Sequence, residues 1–486
     1  MDVHITLQGR GDLAAQVYRQ LLDAVLDGRL RSGERLPPTR ELARRLEISR
    51  NTVAVAYDRL VADGFLVGRA GAGTFVAAQP VRGRAAPKGV VQPRAVWRSI
   101  PVPSRTGPAG FRLTTGPAAY DFRVGVPDPR LFPIEAWRRL VARELRVGSA
   151  GYGDPSGHSG LREAISRHIG ISRSVRAGAD DVLITHGAQQ ALDLIGRVLI
   201  EPGTCVAVEE PGYPPARLLF RSLGARVVGV PVDEEGLDVS AIPDSARLVY
   251  VTPSHQFPLG TPMSPARRNA LLWWAERRHA VVIEDDYDSE FRFGDRPLEP
   301  LQSLDRAGRV VYVGSFSKTL LPMLRLGFLV APASLGPALR TAKQLTDWHG
   351  ELPTQAALAR FIDEGLLSRH IRKATREYAA RHAMIAEALA GDDRLEPVPS
   401  AAGLHLCARL APGVTLRPAP GLALESLEQY FGSAPAQPGL VLGYGAITRD
   451  TIPEGLRLLD TSLSRVPGES ERSGVLAGPE PAGPHA

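Results

Sequence analysis

Cysteine is almost missing from this chain: its 486 residues hold only Cys205 and Cys407. Two cysteines cannot build a disulfide framework. Each sits in an apolar stretch and reads as a buried free thiol of a reducing compartment. Aromatics make up 6% of the residues against 44% hydrophobic ones, the balance of a soluble, well-folded protein. No apolar run approaches the roughly 20 residues that span a bilayer. Met1 to Gly11 lacks the apolar core of an export signal, so the expected setting is the cytoplasm, without a membrane partner.

Two further absences are local. Residues 1–77 contain no lysine, yet carry eleven arginines and nine acids, and residues 78–115 contain seven basic side chains and no acid at all. The overall charge of +6 therefore lies in the first quarter, since residues 116–486 carry 40 basic and 43 acidic side chains. A polyanion is the natural partner for that quarter, although a solvated linker alone would also look basic.

The length suggests two or three domains. Residues 10–77 read as short helices followed by a hairpin. Residues 78–115, with six Pro and four Gly, read as an extended, solvated linker. Residues 116–466 alternate short β-branched runs with helical segments, and 467–486, rich in Gly, Pro and Ser, read as a disordered tail. The candidate strands of the large region are 182–185, 204–209, 226–230, 248–252, 280–284, 310–314 and 327–330. Such short apolar runs belong to a mostly parallel sheet covered by helices, an α/β fold. Ligands of these sheets bind beyond the carboxyl ends of the strands.

In the first region a helix over 12–27 places Leu13, Val17, Leu21 and Val25 on one face. A second helix follows Pro37-Pro38, with Thr39 as a candidate cap. After the turn Glu47-Ile48-Ser49 a third helix begins, capped by Ser49 and buried along Val53, Ala56, Tyr57 and Leu60. Gly64 ends it. A hairpin over 65–76 then completes a winged helix-turn-helix. Such a domain inserts the start of its second motif helix into the major groove of double-stranded DNA. Arg50, Asn51 and Thr52, with Ser49 beside them, would meet base edges and phosphates there, and Arg40, Arg69 and Gly71 would reach the backbone. A protein-binding winged helix is the alternative.

The large region offers one chemistry-bearing residue after another at its strand ends. A pyridoxal 5'-phosphate (PLP) pocket needs an amine for the cofactor aldehyde and a carboxylate for the pyridine nitrogen. It also needs phosphate donors and an aromatic ring over the cofactor face. Ser315-Phe316-Ser317-Lys318, with Arg325 beyond, supplies Lys318 for a Schiff base and Ser315, Ser317 and Arg325 for phosphate. Asp285 is assigned to the pyridine nitrogen and Tyr287 to the ring hydroxyl. Gly187, Ala188 and Gln189 open a helix at which phosphate can approach backbone N–H groups. Tyr213 supplies the stacking ring. Taken singly, a lysine after a strand is ordinary surface. The acids Glu284, Asp285, Asp286 and Asp288 also suit a divalent cation or a solvated loop, but the sequence shows no further ligand cluster, and no metal is expected.

The runs Leu36-Pro37-Pro38-Thr39-Arg40, Leu46 to Val53 and Gly71 to Val76 resemble the GntR class of winged-helix regulators. The strand-end residues together resemble the aspartate aminotransferase fold (fold type I). So do Tyr152-Gly153-Asp154-Pro155-Ser156-Gly157 and Thr252 to Gly260. With both parts joined, roughly residues 10–465 resemble the MocR subfamily of GntR regulators. The resemblance implies a head-to-tail homodimer with shared cofactor sites, in which Tyr152 reaches the phosphate of the other subunit.

Two departures from the enzymes stand out. Their Asn-Pro-x-Gly is Phe257-Pro258-Leu259-Gly260 here, so the Asn that bonds the cofactor hydroxyl is lost unless His255 or Gln256 serves. The arginine that pairs the substrate carboxylate aligns with Ala446, and efficient transamination of ordinary amino acids is not expected. The resemblance thus implies a regulator responding to PLP or a PLP–amine adduct, and if PLP itself is the signal, vitamin B6 synthesis is the expected target. An active aminotransferase with an accessory DNA-binding module, and a cofactor-free dimerisation scaffold, are the alternatives.

Overall fold

The computed structural model describes residues 5–7, 9, 11–77, 94–100, 118–147, 151–294, 299–417, 419–433 and 436–465. The expected tail 467–486, and 78–93 and 101–115 of the expected linker, lie outside them. The chain divides between Pro93 and Arg94 into two compact units.

The first unit is α1 (Leu13–Leu26), α2 (Thr39–Arg45), α3 (Arg50–Ala62), β1 (Leu66–Arg69) and β2 (Gly73–Val76). Val17, Leu21, Leu42, Val53, Tyr57, Leu60, Leu66 and Val76 share its core. The helical spacing of the sequence buried the expected stripe of α3. Thr39 does not cap α2. Extended Pro38 takes that position, and Thr39 is the first helical residue, because proline holds φ where the chain must turn into the helix. Tyr57 donates to the Pro37 carbonyl at 3.0 Å and ties α3 to that turn. The wing is wider than a hairpin: Arg35 bridges Phe75, and Leu36 N–H donates to the Thr74 carbonyl at 2.8 Å.

The second unit begins with α4 (Ala95–Ser99), a single turn inside the stretch expected to be extended. Then come β3 (Tyr120–Asp121), α5 (Ile134–Val147), α6 (Ser159–Arg173), β4 (Val182–Thr185), α7 (Gly187–Leu199), β5 (Cys205–Glu210), α8 (Pro214–Ser222), β6 (Arg226–Asp233), β7 (Gly236–Leu237) and β8 (Ala246–Val251). Next are α9 (Pro265–Arg278), β9 (Val281–Asp286), α10 (Leu301–Leu304), β10 (Val310–Ser315), β11 (Gly327–Val330), α11 (Gly336–Thr346), α12 (Leu352–Asp363) and α13 (Leu366–Ala390). The last elements are β12 (Leu395–Pro397), β13 (His405–Leu410), β14 (Val414–Leu416), β15 (Leu422–Ala423), β16 (Glu425–Ser426), β17 (Gly439–Gly443), α14 (Ile452–Ser462) and β18 (Leu463–Arg465).

The main sheet has eight strands in the order β4-β11-β10-β9-β8-β5-β6-β7. Its central pairs, from β10 through β6, are parallel. β11 runs antiparallel to both neighbours, because the eleven residues between β10 and β11 leave no room for a crossover helix. Alternation along the strands sends Val208, Tyr250, Ile283 and Val313 to one layer of helices and Ala207, Val249, Val251 and Val282 to the other. A smaller antiparallel sheet, β12-β13-β17-β16, packs with α13 and α14 over a separate core.

Candidate functional site

On the first unit the Ser49 hydroxyl accepts from Thr52 N–H at 3.0 Å and fixes the start of α3. Arg50 and Asn51 stand in the first turn, exposed. Arg40 on α2 is also exposed, and neither arginine has an intramolecular partner among the described residues. At the wing tip Gly71 adopts φ +74, and the Arg69 guanidinium lies 4.9 Å over the Phe75 ring. That contact limits how far the arginine can swing. All seven residues proposed for DNA therefore lie on α2, the α3 start or the wing.

On the second unit the carboxyl ends of β4, β5, β9 and β10 bring the expected residues together. Neighbouring positions of β9 face opposite sides of the sheet, which separates the two adjacent aspartates. Asp286 points away, accepting from Arg173 at 2.8 Å and Tyr312 at 2.6 Å. Burial would raise its pKa, but Arg173 and these hydrogen bonds hold it below the usual carboxylate value. Asp285 faces the other way. One oxygen accepts from the Tyr250 hydroxyl at 2.8 Å, and the other is buried without a partner among the described residues. Burial pushes the carboxyl up to about 7.

Lys318 follows β10, and its ammonium donates to the Gly125 carbonyl at 2.9 Å. Burial lowers its pKa, opposed by Asp288 and Asp285, and so favours the nucleophilic neutral amine. Gly125 gave no signal in the sequence. Its φ is +83, and a Cβ there would stand 2.9 Å from the lysine nitrogen.

Around α7 the fold forms a cup. The side chain of His186 does not cap the helix start at Gly187, and the Gln190 side chain accepts from the His186 N–H at 2.9 Å. Ser315 donates to the Ser317 hydroxyl at 3.0 Å, and Arg325 donates to the His186 carbonyl at 2.8 Å. A Cβ on Gly327 would lie 2.7 Å from the Gly187 Cα, so the cup floor is backbone against backbone. Ala188 and Gln189 continue the first turn of α7. The first N–H groups of α7, two hydroxyls and a guanidinium are the kinds of donor that a dianionic phosphate requires.

Tyr213 stands at the start of α8 with its ring edge-on to Phe257, centroids 5.6 Å apart, and burial pushes its hydroxyl up to about 12. Phe257 is also edge-on to Tyr287, His405 and Tyr430, an aromatic box in place of the lost Asn. Gln256 does not replace that Asn: its amide nitrogen is taken by Glu209, the Pro211 carbonyl and the Phe257 carbonyl. The Tyr287 hydroxyl lies 2.9 Å from the His255 carbonyl and 3.0 Å from His255 Nδ1. Tyr152 stays outside this cluster, 86% exposed, with its ring against Trp348 and His349. Gly443 and Gly445 pack on Arg123 to Pro127, beside Gly125, and bring half-buried Ala446 to the same rim.

His255, Asp288 and His405 form a buried trio of metal-ligand types that the sequence did not reveal. His255 and Asp288 already bond each other, and His405 Nε2 lies 3.1 Å from the Pro258 carbonyl.

Residues 13–76 match the gntR family of bacterial regulatory proteins, and residues 121–424 match aminotransferase class I and II. The chain is 38% identical over 480 residues to the probable rhizopine catabolism regulatory protein MocR of Rhizobium meliloti, covering 95% of each. It is 32% identical over 449 residues to the HTH-type pyridoxine biosynthesis transcriptional regulator PdxR of Corynebacterium glutamicum, covering 90% of this chain and 93% of that one. Among solved structures it resembles kynurenine aminotransferase of Pyrococcus horikoshii, in complex with PMP, with TM-score 0.66 and 29% identity. That match covers 72% of this chain and 91% of the enzyme. No described helix is long and apolar enough to cross a membrane.

Proposed function

The chain belongs to the MocR subfamily of GntR regulators, DNA-binding transcription regulators with an aminotransferase-like domain, and on that premise we propose that it binds PLP at Lys318 and transmits the cofactor's state, or that of a cofactor-bound amine, to operator DNA. The observation that carries this reading is the buried oxygen of Asp285 on the face shared with Lys318, which has no partner among the described residues. A lone carboxylate oxygen buried without a donor is costly, and a protonated pyridine nitrogen would satisfy it.

When bound, PLP supplies an aldehyde for amines and a ring that accepts electron density. The residues would divide the remaining work. Asp285 keeps a proton on the pyridine nitrogen, Tyr287 donates to the ring oxygen, and Tyr213 covers the ring face. The α7 N–H groups at Gly187, Ala188 and Gln189, with Ser315, Ser317 and Arg325, hold the phosphate, helped in a head-to-tail homodimer by the partner subunit's Tyr152. Lys318, its proton affinity lowered by burial, provides the amine. Arg50, Asn51 and Thr52 read bases in the cytoplasm's DNA, while Arg40, Arg69 and Gly71 contact the backbone.

Two dimer arrangements with different affinity for the ligand would shift operator binding by linkage. The experiment is PLP titration followed by borohydride fixation, peptide mapping and operator-binding assays. Label on Lys318 and an operator affinity that moves with PLP are expected. No label, or an affinity indifferent to PLP, rejects the reading. The intact lysine and phosphate cup also suit an active aminotransferase, although Ala446 offers no cation to a substrate carboxylate. Multiple-turnover conversion of amino acids with an oxo-acid acceptor would favour that second reading.

A further inference from the structure

Behind Tyr287 lies a polar group that no step above uses. His255 and Asp288 are 2% and 1% exposed, at the end of the β8 loop and just past β9. His255 Nδ1 stands 3.1 and 3.2 Å from the two oxygens of Asp288 and 3.0 Å from the Tyr287 hydroxyl. An ionised carboxylate accepts and cannot donate, so Nδ1 must carry the imidazole proton. On the other side Ser400 Oγ lies 3.1 Å from Nε2, where its hydroxyl can donate to the remaining lone pair. Asp288 thus sets the tautomer, and the Ser400 hydroxyl, which also lies 3.5 Å from the Ala402 carbonyl, can complete it. The fold also makes room for the pair. Gly403 adopts φ +76, and a Cβ there would stand 2.1 Å from the His255 ring and 2.4 Å from Asp288.

We propose that Asp288 and His255 are positioning residues for Tyr287: the proton fixed on His255 Nδ1 is shared between Asp288 and the Tyr287 oxygen, leaving the tyrosine's own proton to be given to the ring oxygen of the cofactor. In the structure that proton goes to the His255 carbonyl at 2.9 Å. A hydroxyl that accepts one hydrogen bond donates the next more strongly. The arrangement makes up for the Asn that Phe257 replaces: the second donor acts through Tyr287 instead of touching the ring oxygen. Every element packed against His255 contributes to its surroundings. Asp288 and Tyr287 follow β9, Ser400 precedes β13, His405 lies on β13, and His382 on α13. Burial holds both His405 and His382 neutral over a wider pH range than usual.

The inference rests on PLP being bound, and its test reads the cofactor's absorbance, not turnover. The visible band of the PLP-loaded chain is titrated with pH in the natural protein, in His255→Phe and in His255→Asn. An asparagine amide nitrogen falls close to where Nδ1 stands and keeps the donor. His255→Phe, or His255→Ala should it not fold, is expected to raise the midpoint by about half to one pH unit, because the deprotonated form loses stabilisation at its ring oxygen. His255→Asn is expected to stay close to the natural midpoint. In a Tyr287→Phe background the His255 replacements should shift nothing further. Equal midpoints in the donor-lacking and natural proteins overturn the inference, as does a shift that survives Tyr287→Phe. A natural protein with no cofactor band at all rejects PLP binding itself, and this inference with it.

Discussion

The two units hold their working side chains in opposite ways. On the winged helix Arg40, Arg50 and Asn51 are exposed and unpaired among the described residues. In the large unit Asp285, Tyr287 and Lys318 are each hydrogen-bonded to another part of the fold. A long, hydrated polyanion is suited by exposed cations and amides that need little preparation. A small ligand is met by groups already fixed and desolvated, since only those orient it at low cost in entropy. Substitutions in the first set should alter binding and leave stability alone. In the second set the two effects should be coupled.

Four experiments would break or sharpen that contrast. Lys318→Ala should abolish borohydride-fixed cofactor entirely while leaving operator binding without PLP intact; label retained on another of the chain's four lysines would dissolve the assignment.

The next effect depends on pH. The Asp285 carboxyl, pushed up to about 7 when folded, lies well above its unfolded value of about 4. The folded chain therefore binds the extra proton in between, and this group's contribution to stability falls as pH rises across that window. A protonated pyridine removes the penalty. The rise in melting temperature on adding PLP should accordingly grow from pH 5 to pH 7.5, and Asp285→Asn should flatten the trend. Glu209 and Glu284, also pushed up to about 7 by burial, lower stability with and without the cofactor alike.

Arg50→Ala should weaken operator binding by roughly 1–3 kcal/mol and relax sequence preference, with an unchanged melt. An unaltered footprint and affinity would place the recognition surface elsewhere. Smallest is Ser49→Ala, which removes the acceptor of the Thr52 N–H and should cost about 1 kcal/mol in denaturant unfolding.

What was legible in the sequence is what depends on nearby residues. The Ser49 cap, the stripe from Val53 to Leu60 and the strand ends carrying Asp285 and Lys318 follow from spacing alone. Contacts between distant segments were hidden. Arg35 joining the wing, Gly125 meeting Lys318 and Ser400 meeting His255 depend on how remote loops pack. Thr39 shows the limit of local rules, since its composition fits a cap but the proline before it occupies the turn. The antiparallel course of β11 could not be read from an apolar run, because such runs carry no direction.

Where Gly187 meets Gly327 the contact allows not even one methyl group. The bed beneath the anion is therefore common stock, cast from main chain and closed to revision by substitution. A relative that came to prefer a different anion would have to change the rim, where Ser315, Ser317 and Arg325 supply side chains that substitution can alter.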